Sequence, residues 1–283
     1  MSFYFSEAAF DEILRAELTN MVVNSPILYK YMNIEIGIKA LQDHTLAFTQ
    51  PLAFNDPYDC TTKFIEFDNL PENYREYLVK QYFGHLDLAV QNEKLAAMYK
   101  TPDEFLTKTL STQGMANEIK NRGVTCFSKN FNNLLMWAHY AASHTGICIG
   151  FNLEKLYLNI SELSSEKMMV QVDYQETFTS LNYYRHKRES IIRWLKTKAK
   201  IWSYEEEIRI IMNHLDFKGD TKFIQSIDKG CFHVVYLGTR ITKENETTVI
   251  ELCQKHYPEI NLYKITPEDH SFDLSVRPLN LSN

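Results

Sequence analysis

The run Trp202-Ser203-Tyr204-Glu205-Glu206-Glu207-Ile208-Arg209-Ile210-Ile211-Met212 is the sharpest feature of the chain. It reads as a strand entered at Glu205. Side chains alternate across a strand, so Glu205, Glu207 and Arg209 project from one face and Glu206, Ile208 and Ile210 from the other. Two carboxylates about 7 Å apart on one face repel unless an arginine, a ligand or solvent compensates. Two readings fit: a solvated edge on which Arg209 bridges its neighbours, or a carboxylate that stabilises a developing cation. The apolar residues beyond Arg209 set the glutamates at the mouth of a buried strand and favour the second.

Working outward, the chain from Gly123 onward alternates strands and helices. Strands are predicted at Val124 to Ser128 and Gly146 to Phe151, flanking a helix over Asn132 to Ala142, and again at Met168 to Tyr174. Glu176 to Ile201 reads as a long basic helix. The strands Glu205 to Met212, Cys231 to Leu237 and Ile260 to Ile265 follow, with a helix over Thr242 to His256 between the last two. Upstream, apolar residues at helical spacing behind Ser6 predict a helix over 6–23. A strand at Ile27 to Tyr31, a helix at Ile34 to Leu41 and a strand at Thr45 to Thr49 come next. Gln50 to Asp59, with two prolines, is a non-repetitive loop. Pro71 and Pro102 at first-turn positions, with Gly84 and Gly123 as stops, mark a helical insertion at about 68–122. The expectation is one α+β domain over 1–283, a strand-rich core with that insertion.

Composition narrows the class. The 283 residues are 45% hydrophobic and 23% charged, which excludes disorder, collagen and coiled coil. A net charge of -6 argues against a uniformly basic nucleic-acid coat protein. Nine glycines and no G-x-G-x-x-G or G-x-x-x-x-G-K-[ST] string exclude Rossmann dehydrogenases and P-loop NTPases. Five scattered cysteines without a Cys-x-x-Cys pair fit neither a disulfide framework nor a ribbon or finger zinc site, and a reducing cytoplasm is the expected setting. The N-terminus lacks a signal-peptide pattern and no 18-residue apolar run exists, so no membrane association is expected.

Three other segments carry possible chemistry. Phe54-Asn55-Asp56-Pro57-Tyr58-Asp59 is either a stiff turn or a loop that closes over a ligand, with Asn55 and Asp56 meeting hydroxyls or an amide. Trp137, His139 and Tyr140 lie on one predicted helix, as an aromatic core face or as a wall that stacks a planar group. His139 and His144 are five apart and face different ways, which disfavours a metal pair. Seven Lys/Arg between Arg185 and Lys200, among them Lys187, Arg188 and Lys196, interleave with Tyr183, Tyr184, His186 and Trp194. Such a face is either solvated or a single-stranded nucleic-acid contact. The Arg209/His214 spacing and a Cys60, Cys126 or Cys148 nucleophile with His139 rank below these.

These segments resemble a bacterial domain-of-unknown-function family, family 2971. The likeness rests on Leu28-Tyr29-Lys30-Tyr31, Leu46 to Pro51 with Phe54 to Asp59, Cys126-Phe127-Ser128, Met136 to Tyr140 with His144-Thr145-Gly146, and Trp202, Tyr204, Glu205, Glu207 and Arg209, over about Leu28 to Ile265. More distantly the layout resembles the ADP-ribosyltransferase fold, a split β-sheet core in which a late strand supplies a glutamate. The first strand here carries Tyr29-Lys30-Tyr31 where that fold places His or Arg, and no Ser-Thr-Ser triplet follows. The resemblance implies that NAD is the substrate, without a metal. It implies Glu207 as the carboxylate beside the ribose, with Glu205 orienting the acceptor. Trp137, His139 and Tyr140 would be the aromatic wall, with Tyr31 and Phe54 beside it, Asn55 and Asp56 the loop contacts, and Lys30 or Arg209 the phosphate contact. It further implies a toxin or phage-defence effector that modifies nucleic acid, held through Arg185, Lys187, Arg188 and Lys196, or protein, with an antitoxin as partner. A non-enzymatic nucleic-acid or partner-binding module and a metal-independent nuclease are the alternatives.

Overall fold

The computed structural model describes residues 16, 19–71, 73–163 and 167–279. Fourteen strands are assigned among them: β1 Ile27–Met32, β2 Thr45–Thr49, β3 Ile65–Glu66, β4 Gly123–Ser128, β5 Ile147–Asn152, β6 Lys167–Gln171, β7 Asp173–Gln175, β8 Leu181–Asn182, β9 Thr197–Ala199, β10 Glu207–Met212, β11 Lys222–Ser226, β12 Phe232–Leu237, β13 Asn261–Pro267 and β14 Leu274–Pro278. Ten of these make one large mixed sheet. Its pairs are antiparallel except β12 with β13, which run parallel across the helix Lys243–His256. Two short parallel pairs, β3 with β8 and β7 with β9, lie outside it.

The sheet divides at β4. One edge of β4 pairs with β10 along its whole length, from Glu207 opposite Ser128 to Met212 opposite Gly123, and β6 covers the far edge of β10. This pair is the mechanical centre of the site, because both strands are buried nearly throughout and β10 carries Glu207 and Arg209. The other edge of β4 is shared. Strand β1 touches it only at Tyr29 opposite Ser128, and β2 only at Thr49 opposite Val124. Strand β1 then pairs in full with β5, whereas β2 pairs in full with β11. The two strands therefore part, and a cleft opens over the middle of β4.

The main core lies between the sheet and the helices Ile34–Asp43, Leu153–Leu163 and Lys243–His256, and includes Leu41, Phe48, Ile149, Phe151, Leu156 and Val249. A second apolar cluster gathers Cys60, Phe64, Trp194, Leu195 and Ile211. A third joins Tyr31, Met136, Trp137 and Tyr236. Gly146 sits at the start of β5 because backbone crosses it: a Cβ there would lie 2.1 Å from the Met32 carbonyl and 3.0 Å from that of Ala141. Gly146→Ala is expected to push β1 off its register with β5 and to cost about 2–3 kcal/mol, the upper range for overpacking. A urea midpoint equal to that of the unsubstituted chain would contradict this.

Most predicted elements are present, with shifted ends. Three helices, Tyr74–Phe83, Leu88–Lys100 and Asp103–Lys120, occupy the predicted helical interval. The helix expected at Asn132 to Ala142 is shorter, Leu134–Tyr140, with the Asn133 side chain capping the amides of Leu135 and Met136. Of the helix expected over 6–23, residues 19–24 are helical, while 6–15, 17 and 18 lie outside the described residues. The long basic helix over 176–201 is corrected. Only Lys187–Lys196 is helical, preceded by β8 and followed by β9. The Asn182 side chain accepts from the Arg185 amide, and this local turn competes with helix in a stretch rich in Thr, Ser and Asn. The strand expected from Glu205 starts instead at Glu207. Lys200–Glu205 is a 3-10 turn closed by Glu206 in the left-handed region, φ 45°. Among the described residues no helix is long and apolar enough to cross a membrane.

Candidate active site

The cleft at the divided sheet has a cavity volume of about 210 Å³ and opens to solvent. Lys30 and Tyr31 of β1, Cys126 to Ser128 of β4, Phe54, Asn55 and Asp59 of the loop after β2, Tyr140, Lys198, Glu205 and Glu207 all line it. Its floor is a buried charge cluster. Arg209, 0% exposed, uses every donor of its guanidinium. Nε donates to Glu207 Oε1 at 2.7 Å, Nη1 to Asp59 Oδ1 at 2.9 Å and the Leu195 carbonyl at 2.8 Å, and Nη2 to Asp59 Oδ2 at 2.6 Å and Glu207 Oε2 at 3.1 Å. Lys198 Nζ donates to Glu205 Oε2 at 2.6 Å and Glu207 Oε2 at 3.1 Å, and lies 3.4 Å from Asp59 Oδ2. Tyr140 Oη donates to the remaining Glu205 oxygen at 2.6 Å. Tyr174 Oη accepts from the Glu207 amide at 2.8 Å.

Two cations thus face three carboxylates, one negative charge in excess. The two glutamates divide in consequence. Burial favours the neutral acid at both. At Glu207 the charges of Arg209 and Lys198 outweigh burial and hold the carboxyl well below its ordinary range, so it is ionised across the physiological range. At Glu205 burial dominates, the Glu207 charge adds to it, and the pKa is raised despite Lys198. Burial also opposes the charge on Lys198, but Glu207, Asp59 and Glu205 reverse its effect and keep the ammonium protonated. The pair is one firmly ionised carboxylate and one whose charged form burial and the Glu207 charge disfavour.

Linkage gives a pH dependence. A carboxylate whose folded pKa is depressed contributes stability that is fully present above its unfolded pKa, about 4.3 for Glu, and that is lost as pH falls below that value. Denaturation at pH 7 and pH 3 is therefore expected to show a marked loss of stability at pH 3 that is reduced in Glu207→Gln. Equal losses in both proteins would remove Glu207 from the account.

The expected site residues do not all converge. Lys30, Tyr31, Phe54, Asn55, Tyr140, Glu205 and Glu207 line the cleft. Lys30 Nζ donates to the Cys126 carbonyl at 2.8 Å, and burial lowers its pKa while Cys126 and Glu207 oppose that shift. Arg209 lies beneath the cleft with its donors spent, so it is not available to a phosphate. Trp137 is 0% exposed, donates to the Phe131 carbonyl and packs edge-on against Tyr31. It is a core side chain, not a stacking wall. His139 is exposed, outside the cleft lining, and bonded to Tyr204 Oη at 2.9 Å. Asp56 is spent on its own turn, accepting from the Tyr58 amide.

The basic segment is dispersed as well. Arg185 and Arg188 are exposed, Lys187 faces Glu118 at 3.7 Å, and Lys196 lies 3.1 Å from Asp173. Trp194 is buried and donates to the Cys60 carbonyl. The interleaved aromatics are therefore partly core. Cys126 lines the cleft, but burial and Glu207 push its thiol far up, against a nucleophilic thiolate. Sequence reasoning missed Lys198, grouped with the surface helix, and Asp59, quoted only as part of a turn. Among the described residues no group of three or more His, Cys, Asp or Glu is arranged to hold a metal ion.

Residues 136–210 match the family model described as "Protein of unknown function (DUF2971)". Over that segment the chain is similar to DUF2971. The segment begins in the helix Leu134–Tyr140 and ends in β10, so it contains Tyr140, Lys198, Glu205, Glu207 and Arg209. Lys30, Asn55 and Asp59 lie outside the DUF2971 match, on the N-terminal side of the cleft. Comparison with curated proteins and with solved structures gave no significant match.

Proposed function

We propose that this chain is an NAD-dependent ADP-ribosyltransferase-like enzyme built on a divided-sheet core. The observation that carries the reading is the floor of the cleft, where an always-ionised glutamate and a second carboxylate of raised pKa meet beneath the gap between β1 and β2. In the reaction the nicotinamide–ribose bond breaks, its electron pair leaves with the now neutral nicotinamide, and positive charge develops on the ribose. Glu207 lowers the energy of that charge from a site shielded from water. Glu205 takes the proton from the acceptor nucleophile as the new bond forms, its raised pKa bringing it nearer the working pH.

The remaining cleft residues fit the substrate's other parts. Tyr31 and Phe54 offer aromatic surface to nicotinamide, in place of Trp137. Lys30, which donates to the Cys126 carbonyl, and Asn55 offer donors to the pyrophosphate. Tyr140 and Lys198 orient Glu205. The test is incubation of the full chain with NAD and measurement of released nicotinamide, with and without nucleic-acid and protein acceptors. Release above the uncatalysed rate supports the reading. Intact NAD under all three conditions overturns it.

A further inference from the structure

A second cavity, of about 520 Å³, lies away from the cleft among the three helices of 74–120 and the turn that leads into the helix Lys187–Lys196. Five tyrosines, Tyr74, Tyr77, Tyr82, Tyr183 and Tyr184, line it with Lys187. Four of them, Tyr74, Tyr77, Tyr183 and Tyr184, form one connected aromatic surface. Tyr74 meets Tyr184 with ring centroids 4.5 Å apart and Tyr77 at 5.4 Å, and Tyr183 meets Tyr184 at 6.0 Å. The inner rings are fixed: Tyr183 donates to Glu118 at 3.2 Å and carries the Lys187 ammonium 5.4 Å from its ring centroid. Tyr77 and Tyr82 are 49% and 58% exposed, so an incoming ligand meets them first.

The charge of this cavity is one-sided. Among the described lining residues Lys187 is the sole ionised group and no carboxylate is present. Lys187 pairs at 3.7 Å with Glu118, a carboxylate that Arg122 at 2.9 Å and Tyr183 also bond. Arg185 and Arg188, both exposed, flank Lys187 in sequence. Aromatic walls with basic side chains at their rim suit a ligand that is planar and anionic along its length. Gln81 and Gln113 add amides that can bond the edge of a planar base.

We propose that this cavity is a stacking site for the bases of a single-stranded nucleic acid, with Lys187 and Arg185 meeting its phosphates. A single strand is required, because a duplex hides the base faces that a tyrosine stacks on. The site stands apart from the charge cluster, and its occupancy does not depend on NAD turnover.

Fluorescence anisotropy of a short labelled single-stranded RNA, its DNA counterpart and the matching duplex, titrated with the full chain, tests the proposal. Binding is expected for the single strands, weakening steeply with salt. Tyr77→Ala combined with Tyr82→Ala is expected to weaken it at least tenfold with an unchanged melting temperature, since both rings are half in water. Lys187→Gln is expected to reduce the salt slope by about one unit. Absence of single-strand binding at low salt, equal affinity for the duplex, or unchanged affinity in the tyrosine pair would each overturn the site. A proline-rich peptide bound where the oligonucleotides are not would overturn it in favour of a protein partner. Intact NAD in the cleft assay leaves all these readings unaffected, so the two proposals fail separately.

Discussion

Arg209→Met is expected to lower the unfolding free energy by about 3–5 kcal/mol, the range for breaking a buried ion pair by removing one partner. The guanidinium is 0% exposed and supplies five hydrogen bonds to Asp59, Glu207 and the Leu195 carbonyl. Without it, Lys198 alone faces Asp59, Glu205 and Glu207, and the excess negative charge rises from one to three carboxylates less one ammonium, that is, to two. Methionine fills the space but donates nothing. Arg209→Lys is expected to recover the charge and only part of the stability, because an ammonium does not make the bidentate contact with Asp59. The decisive control is Arg209→Met together with Asp59→Asn and Glu207→Gln. If the loss comes from uncompensated charge and not from packing, the triple variant is more stable than the single one. A single variant within 1 kcal/mol of the parent in urea unfolding would show the cluster to be energetically idle.

Glu207→Gln is expected to slow nicotinamide release at least 100-fold, about 2.7 kcal/mol of transition-state stabilisation. The substitution is isosteric, and its effect on folding is expected to be smaller than that of Arg209→Met. It removes the one negative charge in excess, leaving Lys198 and Arg209 matched by Asp59 and Glu205, and the amide oxygen still accepts from Arg209 Nε. Glu205→Gln separates the roles. It leaves every Arg209 contact in place and is expected to reduce transfer to an acceptor more than release of nicotinamide, because bond cleavage draws on the fixed charge of Glu207. A wild-type rate in folded Glu207→Gln removes the catalytic role, and a poorly folded sample is recognised by its melting curve.

The alternation of Glu207 and Arg209 on β10 was legible because a strand's period is two and the residues beyond are apolar. The chain's need for an arginine to offset two glutamates was legible too. What offsets them further was not. Lys198 lies in a basic run whose residues were assigned to one long helix, and only the break at Thr197, where β9 pairs with β7, turns it inward. Glu205 reaches the cleft by a different route from the one its spacing suggested, through the left-handed Glu206 and not through a straight strand. Trp137 shows the reverse error. It stands three residues from Tyr140, as a stacking pair would, but a short helix packed on β1 buries the larger ring and leaves the smaller one to bond Glu205. Cleft residues from β1 and the loop after β2 were visible as motifs, whereas the parting of β1 from β2 is a property of pairing that no local pattern records.

Asp59 ties the ends of this arrangement together. Its bidentate contact with Arg209 spans 150 positions of chain, while Lys198, Glu205, Glu207 and Arg209 are neighbours. Chain closure over such a span is slow compared with local turns. Arg209 is fully matched only with the N-terminal half docked against it. A fragment excised at 136–210 would carry four of the five charges without Asp59, and the cluster in it is expected to be less stable than in the full chain.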